Sequence, residues 1–176
     1  INKQGSNILI TNIKPQLTID EVIRKVEENI IIDDTSNPIG LDQYLEKGQF
    51  SDPYAVTLKP GNMYQALIMR SDGSGSFDKS LSEINSLGFF EATLMDCLHI
   101  WSLTDKNVQG YTNKLTFPVS QLVQYLIAPG TKTDSKAVQW SCIPRLSIQK
   151  KLFLDSIPWR NLNHYQDHGV VAIKKI

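Results

Sequence analysis

The sequence predicts an α+β fold: a single domain over residues 1–176 with one mainly antiparallel or mixed sheet and three to four flanking helices. Three observations carry that expectation. Strand-like and helix-like stretches interleave along the chain. Pro60-Gly61-Asn62 joins two strand-like runs where a regular βαβ alternation would place a helix. The C-terminal third is strand-rich. A chain of 176 residues buries roughly 70% of the surface that its unfolded form exposes, enough for one core without disulfide or metal staples.

In order, residues 7–13 read as a strand that Lys14-Pro15 ends. Thr18 then caps a helix with Glu21 three positions on, the spacing at which each residue bonds the other's backbone N–H. Ile19, Val22, Ile23, Val26 and Ile30 form its apolar stripe, whereas Asp20 with Arg24 and Glu21 with Lys25 make four-residue pairs on the wet face, so the helix should lie on a sheet. Residues 31–39 read as a polar loop, and 41–47 as a short helix stopped by Gly48. Residues 54–59 and 63–70 are expected to pair as a hairpin. A further helix should run to about Leu87, with Ser80 and Glu83 at capping spacing, Leu81, Ile84 and Leu87 on one face, and Gly88 as its stop.

Residues 89–103 are the most apolar run and read as the central strand. Ala92, Leu94, Leu98 and Ile100 alternate with Phe89, Met95, Cys97 and Trp101, the two-sided pattern of a strand covered on both faces. The rival is a buried helix, since Leu94, Leu98 and Trp101 also fall at helical spacing. Residues 114–117 look extended, and Pro118 should start a helix with Val119, Leu122, Val123, Leu126 and Ile127 on one face, ended by Pro129-Gly130. After a polar loop at 131–136, residues 137–143 and 146–154, interrupted by Pro144-Arg145, are expected to form an edge hairpin. Residues 157–169 read as irregular and 170–173 as the last strand.

The motifs with chemical potential each lack a member. The loop at 71–80 lies between a strand and a helix, where amides cradle phosphates, but Asp78 stands before Lys79-Ser80 where a phosphate loop needs glycine. Gly73 and Gly75 lack the third glycine of a dinucleotide fingerprint. His164 and His168 have the four-residue spacing of a helical metal pair, and Cys97 and His99 are the further ligands on offer, yet they sit in the core run. No local motif marks Cys97 or Cys142 as a nucleophile, and the two could be bridged or be buried thiols. Asp33-Asp34 reads as solvated surface. The opening strand and capped helix resemble the start of an RNA-recognition module, but residues 7–13 carry none of the stacking aromatics that such a module displays.

Formal net charge is zero, which argues against a global electrostatic footprint for nucleic acid. The distribution is uneven: residues 18–52 hold nine acids against three bases, and residues 131–176 hold eight bases against three acids. Such asymmetry points to an interaction surface. The sequence therefore favours a non-catalytic binding or structural protein, self-assembling as coat, matrix or scaffold proteins do, through an acidic N-terminal and a basic C-terminal surface. The expected binding residues are Arg145, Lys150, Lys151, Trp159, Arg160, Lys174 and Lys175, with Ile157 and Leu162 beside Trp159 as the apolar contribution. The expected partner is protein, foremost the chain itself, and no catalytic residue, metal or small-molecule cofactor is expected. The alternatives are an RNA-binding or anionic-membrane-binding domain using the basic C-terminal third, and an enzyme whose site is assembled from distant residues. No apolar stretch approaches the roughly 20 residues that span a bilayer. The first residue is not Met, so residue 1 is expected to be an introduced or processing boundary, and the sequence assigns no compartment.

Overall fold

The computed structural model describes residues 8–32, 58–70, 77–104, 125–131, 133–134, 141–147, 152–158 and 168–176. In chain order these form β1 (Ile8–Ile13), α1 (Ile19–Asn29), β2 (Ile30–Ile32), β3 (Tyr64–Arg70), α2 (Phe77–Ser86), β4 (Phe90–Glu91), α3 (Leu94–Thr104), β5 (Tyr125–Ile127), β6 (Thr133–Asp134), β7 (Ser141–Ser147), β8 (Leu152–Pro158) and β9 (His168–Lys175). The class is α+β, with one mixed sheet.

The strand order is β1-β3-β9-β5-β7-β8-β2, with β4 also on β9 and β6 also on β7. β9 is the hub. Its one edge pairs with the whole of β3, and its other edge is shared by β5 over 168–170 and by β4 over 172–173. Alternation along the strands divides the core in two. Ala66, Ile68, Leu126, Leu146, Leu154, Val171 and Ile173 face α1 and α3, whereas Leu67, Met69, Ile127, Val170 and Ala172 face α2. Helices thus cover both faces.

α1 forms as its pattern predicts: Thr18 and Glu21 exchange capping bonds at 3.3 and 3.0 Å, and Val22 and Val26 are buried while Asp20, Glu21, Glu27 and Glu28 are exposed. Ile30, expected as the end of its stripe, instead begins β2, which lies parallel to β8. α2 begins at Phe77, so Ser80 is inside the helix and is not its cap. Its end is a Schellman turn: Gly88 at φ +83° donates to Asn85 O at 3.0 Å, Phe89 N–H reaches Ile84 O at 3.3 Å, and both Ile84 and Phe89 are buried in the same cluster.

The run at 89–103 is not the central strand. Only Phe90 and Glu91 pair as a strand, and residues from Leu94 onward form α3, whose Met95, Asp96, Cys97, Leu98, His99 and Ile100 are all buried. A helix closed in on every side has no polar face, so its sequence satisfies the two-residue period of a buried strand as well as its own. Thr93 starts it, with Asp96 Oδ2 accepting from Thr93 N–H at 3.1 Å and Thr93 Oγ1 accepting from Asp96 N–H at 3.2 Å.

Among the described residues no hairpin crosses Pro60-Gly61-Asn62, and 54–57 of the expected first strand lie outside them. The turn exists, with Gly61 at φ +86°, but both edges of β3 are taken by β1 and β9, and Leu58 and Lys59 are not in a strand. Leu126 and Ile127, assigned to a helix from Pro118, belong to β5. Pro144 does not interrupt the chain either. It lies within β7, where the pairing with β6 ends at Cys142 and that with β5 starts at Arg145, so a residue lacking an N–H falls in a gap of the ladder. The expected pairing of 137–143 with 146–154 is replaced by an antiparallel pairing of 141–147 with 152–158, and β2 covers β8, so this pair is not the edge. The last strand starts at His168, two residues before expected. The helix at 41–47, the loop at 71–76 and residues 114–124 lie outside the described residues.

Candidate functional site

Three places concentrate polar or exposed groups. The first is the row formed by β7, β5 and β9. The register sets Tyr125 beside His168 and Ile127 beside both Arg145 and Val170. The Tyr125 and His168 rings stack with centroids 4.6 Å apart and planes 21° from parallel. The Arg145 guanidinium carbon lies 4.8 Å from the Tyr125 centroid, and Arg145 Nη1 is 3.0 Å from His168 Nε2. A guanidinium only donates, so Nε2 is the acceptor and the neutral imidazole carries its proton on Nδ1. Burial, and after it the Arg145 charge, holds the His168 pKa down to about 4.

The second is the C-terminal end of β9. Lys174 and Lys175 are exposed, and the Lys174 ammonium lies 5.6 Å from the Phe89 ring centre. The exposed large apolar residues among the described ones lie at this end of the sheet: Phe90 at 70%, Ile176 at 65%, Leu87 at 45% and Met63 at 41%. Phe90 is opposite Ile173 in the β4–β9 register, and Ile176 N–H bonds Met63 O at 3.2 Å, which ties these residues to one end of the sheet.

The third is the start of α3, and here the chain satisfies itself. Asp96, fully buried, also accepts from Leu58 N–H at 3.2 Å, and Leu94 N–H donates to Thr131 Oγ1 at 2.8 Å. The helix N-terminus is therefore already neutralised by a carboxylate and a hydroxyl of the same chain. Gly130 permits this approach: its N–H bonds Ala92 O at 2.8 Å, and a Cβ there would lie 2.9 Å from the carbonyl oxygens of both Glu91 and Ala92.

Of the expected binding residues, Lys174 and Lys175 are both exposed but, as consecutive residues of β9, point to opposite faces of the sheet, whereas Arg145 is half-buried and tied to Tyr125 and His168. Arg145 pairs across β5 with the start of β9, so four to five strand residues, roughly 13–17 Å, separate it from the two lysines. They do not make one patch. Lys150, Lys151, Trp159 and Arg160 lie outside the described residues, as do Leu162, His164 and Asp33-Asp34. His168 opens a strand and not a helix, so the basis for a helical His164/His168 pair is lost. Cys97 is a free thiol that burial, with Asp96 beside it, pushes well above its ordinary pKa, the reverse of what a nucleophile needs. Burial also holds His99 down to about 4, and among the described residues its Nε2 has no hydrogen-bond partner.

Sequence reasoning missed Tyr125 and Phe90. Tyr125 becomes legible only once β5 is known to be a strand, and Phe90 only once the turn at Gly88 shows which of two adjacent phenylalanines faces inward. Among the described residues no three His, Cys, Asp or Glu side chains gather as a metal would require, and no helix is long and apolar enough to cross a membrane. No protein-family model, curated protein or solved structure matches the chain, so the geometry alone bears on its function.

Proposed function

We propose that the protein is a non-catalytic binding or structural protein that self-assembles, with the C-terminal end of β9 as one docking surface and the acidic face of α1 as its counterpart on a second copy. The observation that carries this reading is Phe90, an aromatic ring 70% exposed beside a buried neighbour, Phe89. Burying a ring of that size contributes about 1.5–3 kcal/mol, and Met63, Leu87 and Ile176 are further exposed apolar side chains at the same end of the sheet. Lys174 and Lys175 edge it, and Asp20, Glu21, Glu27 and Glu28 on α1 offer the opposite sign. Apolar area supplies affinity here, and charge supplies orientation. Contact between two different surfaces propagates from copy to copy, into a ring or a filament.

Light scattering across protein concentration and salt tests the reading. The parent is expected to gain mass with concentration in low salt and to lose part of that gain near 1 M salt, where screening falls to about 3 Å. Phe90→Ser should abolish association at every salt, and Lys175→Glu should weaken it mainly in low salt. A monodisperse monomer at high concentration in low salt overturns the proposal. Salt-sensitive binding to RNA or to anionic vesicles by such a monomer would favour the alternative use of the basic end.

A further inference from the structure

The sheet consists of two groups joined by a short seam. β1, β3, β9 and β4 pair antiparallel with one another; β5, β7 and β8 do likewise, with β6 on β7 and β2 on β8. Among the described residues the strand pairing that links the groups is 125–127 lying parallel to 168–170. Tyr125 and His168 are its first pair, and Arg145 comes from β7, one strand further out. Its guanidinium crosses over the Tyr125 ring and bonds His168, so a single contact spans three strands.

We propose that this Arg145–Tyr125–His168 contact is an acid-released clasp: proton uptake at His168 Nε2 breaks the bond to Arg145 and opens the seam between the two groups of strands. The chemistry is one-directional. Arg145 has only donors, so the bond exists only while Nε2 keeps its lone pair. A proton there sets two N–H groups and two positive charges against each other at 3.0 Å, on a ring that is only 4% exposed.

The charged groups of the neighbouring strands and of α2 are placed as follows by register and burial. Arg70 stands opposite Gly169 in the β3–β9 register and, by alternation with Ala66 and Ile68, on the other face of the sheet. Glu91 of β4 is opposite Ala172, four residues along β9 from His168. Asp155 of β8 is the register partner of Arg145, on the side of β7 away from His168, and three strands from β9. On α2, Lys79 and Glu83 are exposed.

His168 is held at about 4 in the closed seam against an ordinary 6.5. An opened seam takes the proton at the higher value, so closure is favoured in full above 6.5 and progressively less as pH falls toward 4. The opening is local. On the opposite face Leu126 and Val171 share the larger core, and the Gly130 N–H to Ala92 O and Leu94 N–H to Thr131 Oγ1 bonds, both 2.8 Å, hold the far end of β5 to the start of α3.

Residue-resolved hydrogen exchange of the whole chain at pH 7 and about pH 4.5, expressed as protection factors, tests the clasp. Amides of 125–127 and 168–170 should lose at least about tenfold in protection and exchange more readily at about pH 4.5 than those of Gly130, β1 and β3, which lose only what the whole fold loses. In His168→Gln, whose side-chain carbonyl accepts from Arg145 and gains no proton, the acid loss through local opening of the seam should vanish. The parent carries an independent test if that variant does not fold: the His168 ring followed by NMR must titrate together with the loss of seam protection. Titration of His168 with the seam still protected, an equal seam loss in His168→Gln, or protection at the seam equal to that of β1 and β3 at about pH 4.5 would each overturn the inference.

Discussion

At the start of α1, Thr18 and Glu21 exchange backbone-to-side-chain bonds of 3.3 and 3.0 Å; at the start of α3, Thr93 and Asp96 exchange bonds of 3.2 and 3.1 Å. The local device is the same, but its surroundings differ. Thr18 and Glu21 are exposed, so water replaces whatever a substitution removes. Asp96 is fully buried and also serves Leu58 N–H, from a segment that precedes β3. One cap tunes a helix. The other joins a helix to a distant stretch of chain, and the difference teaches that a capping motif acquires its weight from the donors that would be stranded without it.

The largest expected effect breaks the buried member. Asp96→Ala leaves the Leu58 and Thr93 amides without their carboxylate and should cost about 3–5 kcal/mol, read as a lower urea midpoint at unchanged slope. Asp96→Asn, which keeps one acceptor, should fall between that variant and the parent. Next comes acid. His99, buried on α3, has its pKa lowered to about 4 from 6.5, so unfolded chains bind the proton first and stability, complete above 6.5, declines as pH falls toward 4. Its contribution is on the order of 3 kcal/mol, and His99→Leu should flatten the profile of unfolding free energy against pH over that window. An unchanged profile would remove His99 from the account. The exposed cap gives the smallest effects: Thr18→Ala about 1 kcal/mol, and Glu21→Gln about 0.3 kcal/mol and only in low salt. If Thr18→Ala cost as much as Asp96→Ala, burial would not be what separates the two ends.

The same contrast explains what the sequence disclosed. α1 alternates an apolar stripe with Asp20, Arg24, Glu27 and Glu28, so its period is visible, and Thr18 with Glu21 marks its start. α3 has apolar neighbours on all sides, which removes the period, yet Thr93-x-x-Asp96 was a legible start signal once aspartate is admitted as the acid of the box. The class followed from interleaved elements, but the order of strands did not, because β2 on β8 and β5 on β9 are parallel partners distant in sequence. The site suffered for that reason. Lys174 and Lys175 were identifiable as exposed bases near a polar end, whereas the meeting of Arg145 with Tyr125 and His168 depends on a three-strand register that no local pattern encodes. Pro60-Gly61-Asn62 announced a turn correctly, but the pairing of the chain on either side of a turn is decided by which strand edges remain open.

The hub position of β9 has a consequence for how the molecule is made. β3, β4 and β5 all dock on a strand that leaves the ribosome after them, so during synthesis they emerge with their shared partner still unmade. Closing loops of that length costs entropy before any ladder bond offsets it, which places the assembly of this sheet among slow, non-local events. Until residues 168–175 arrive, the β3 edge they will occupy is an open template of amides and carbonyls, and the apolar stripe Ala66 to Met69 stands without its central neighbour. Nascent chains stalled short of that strand are therefore the form of this protein most in need of a chaperone.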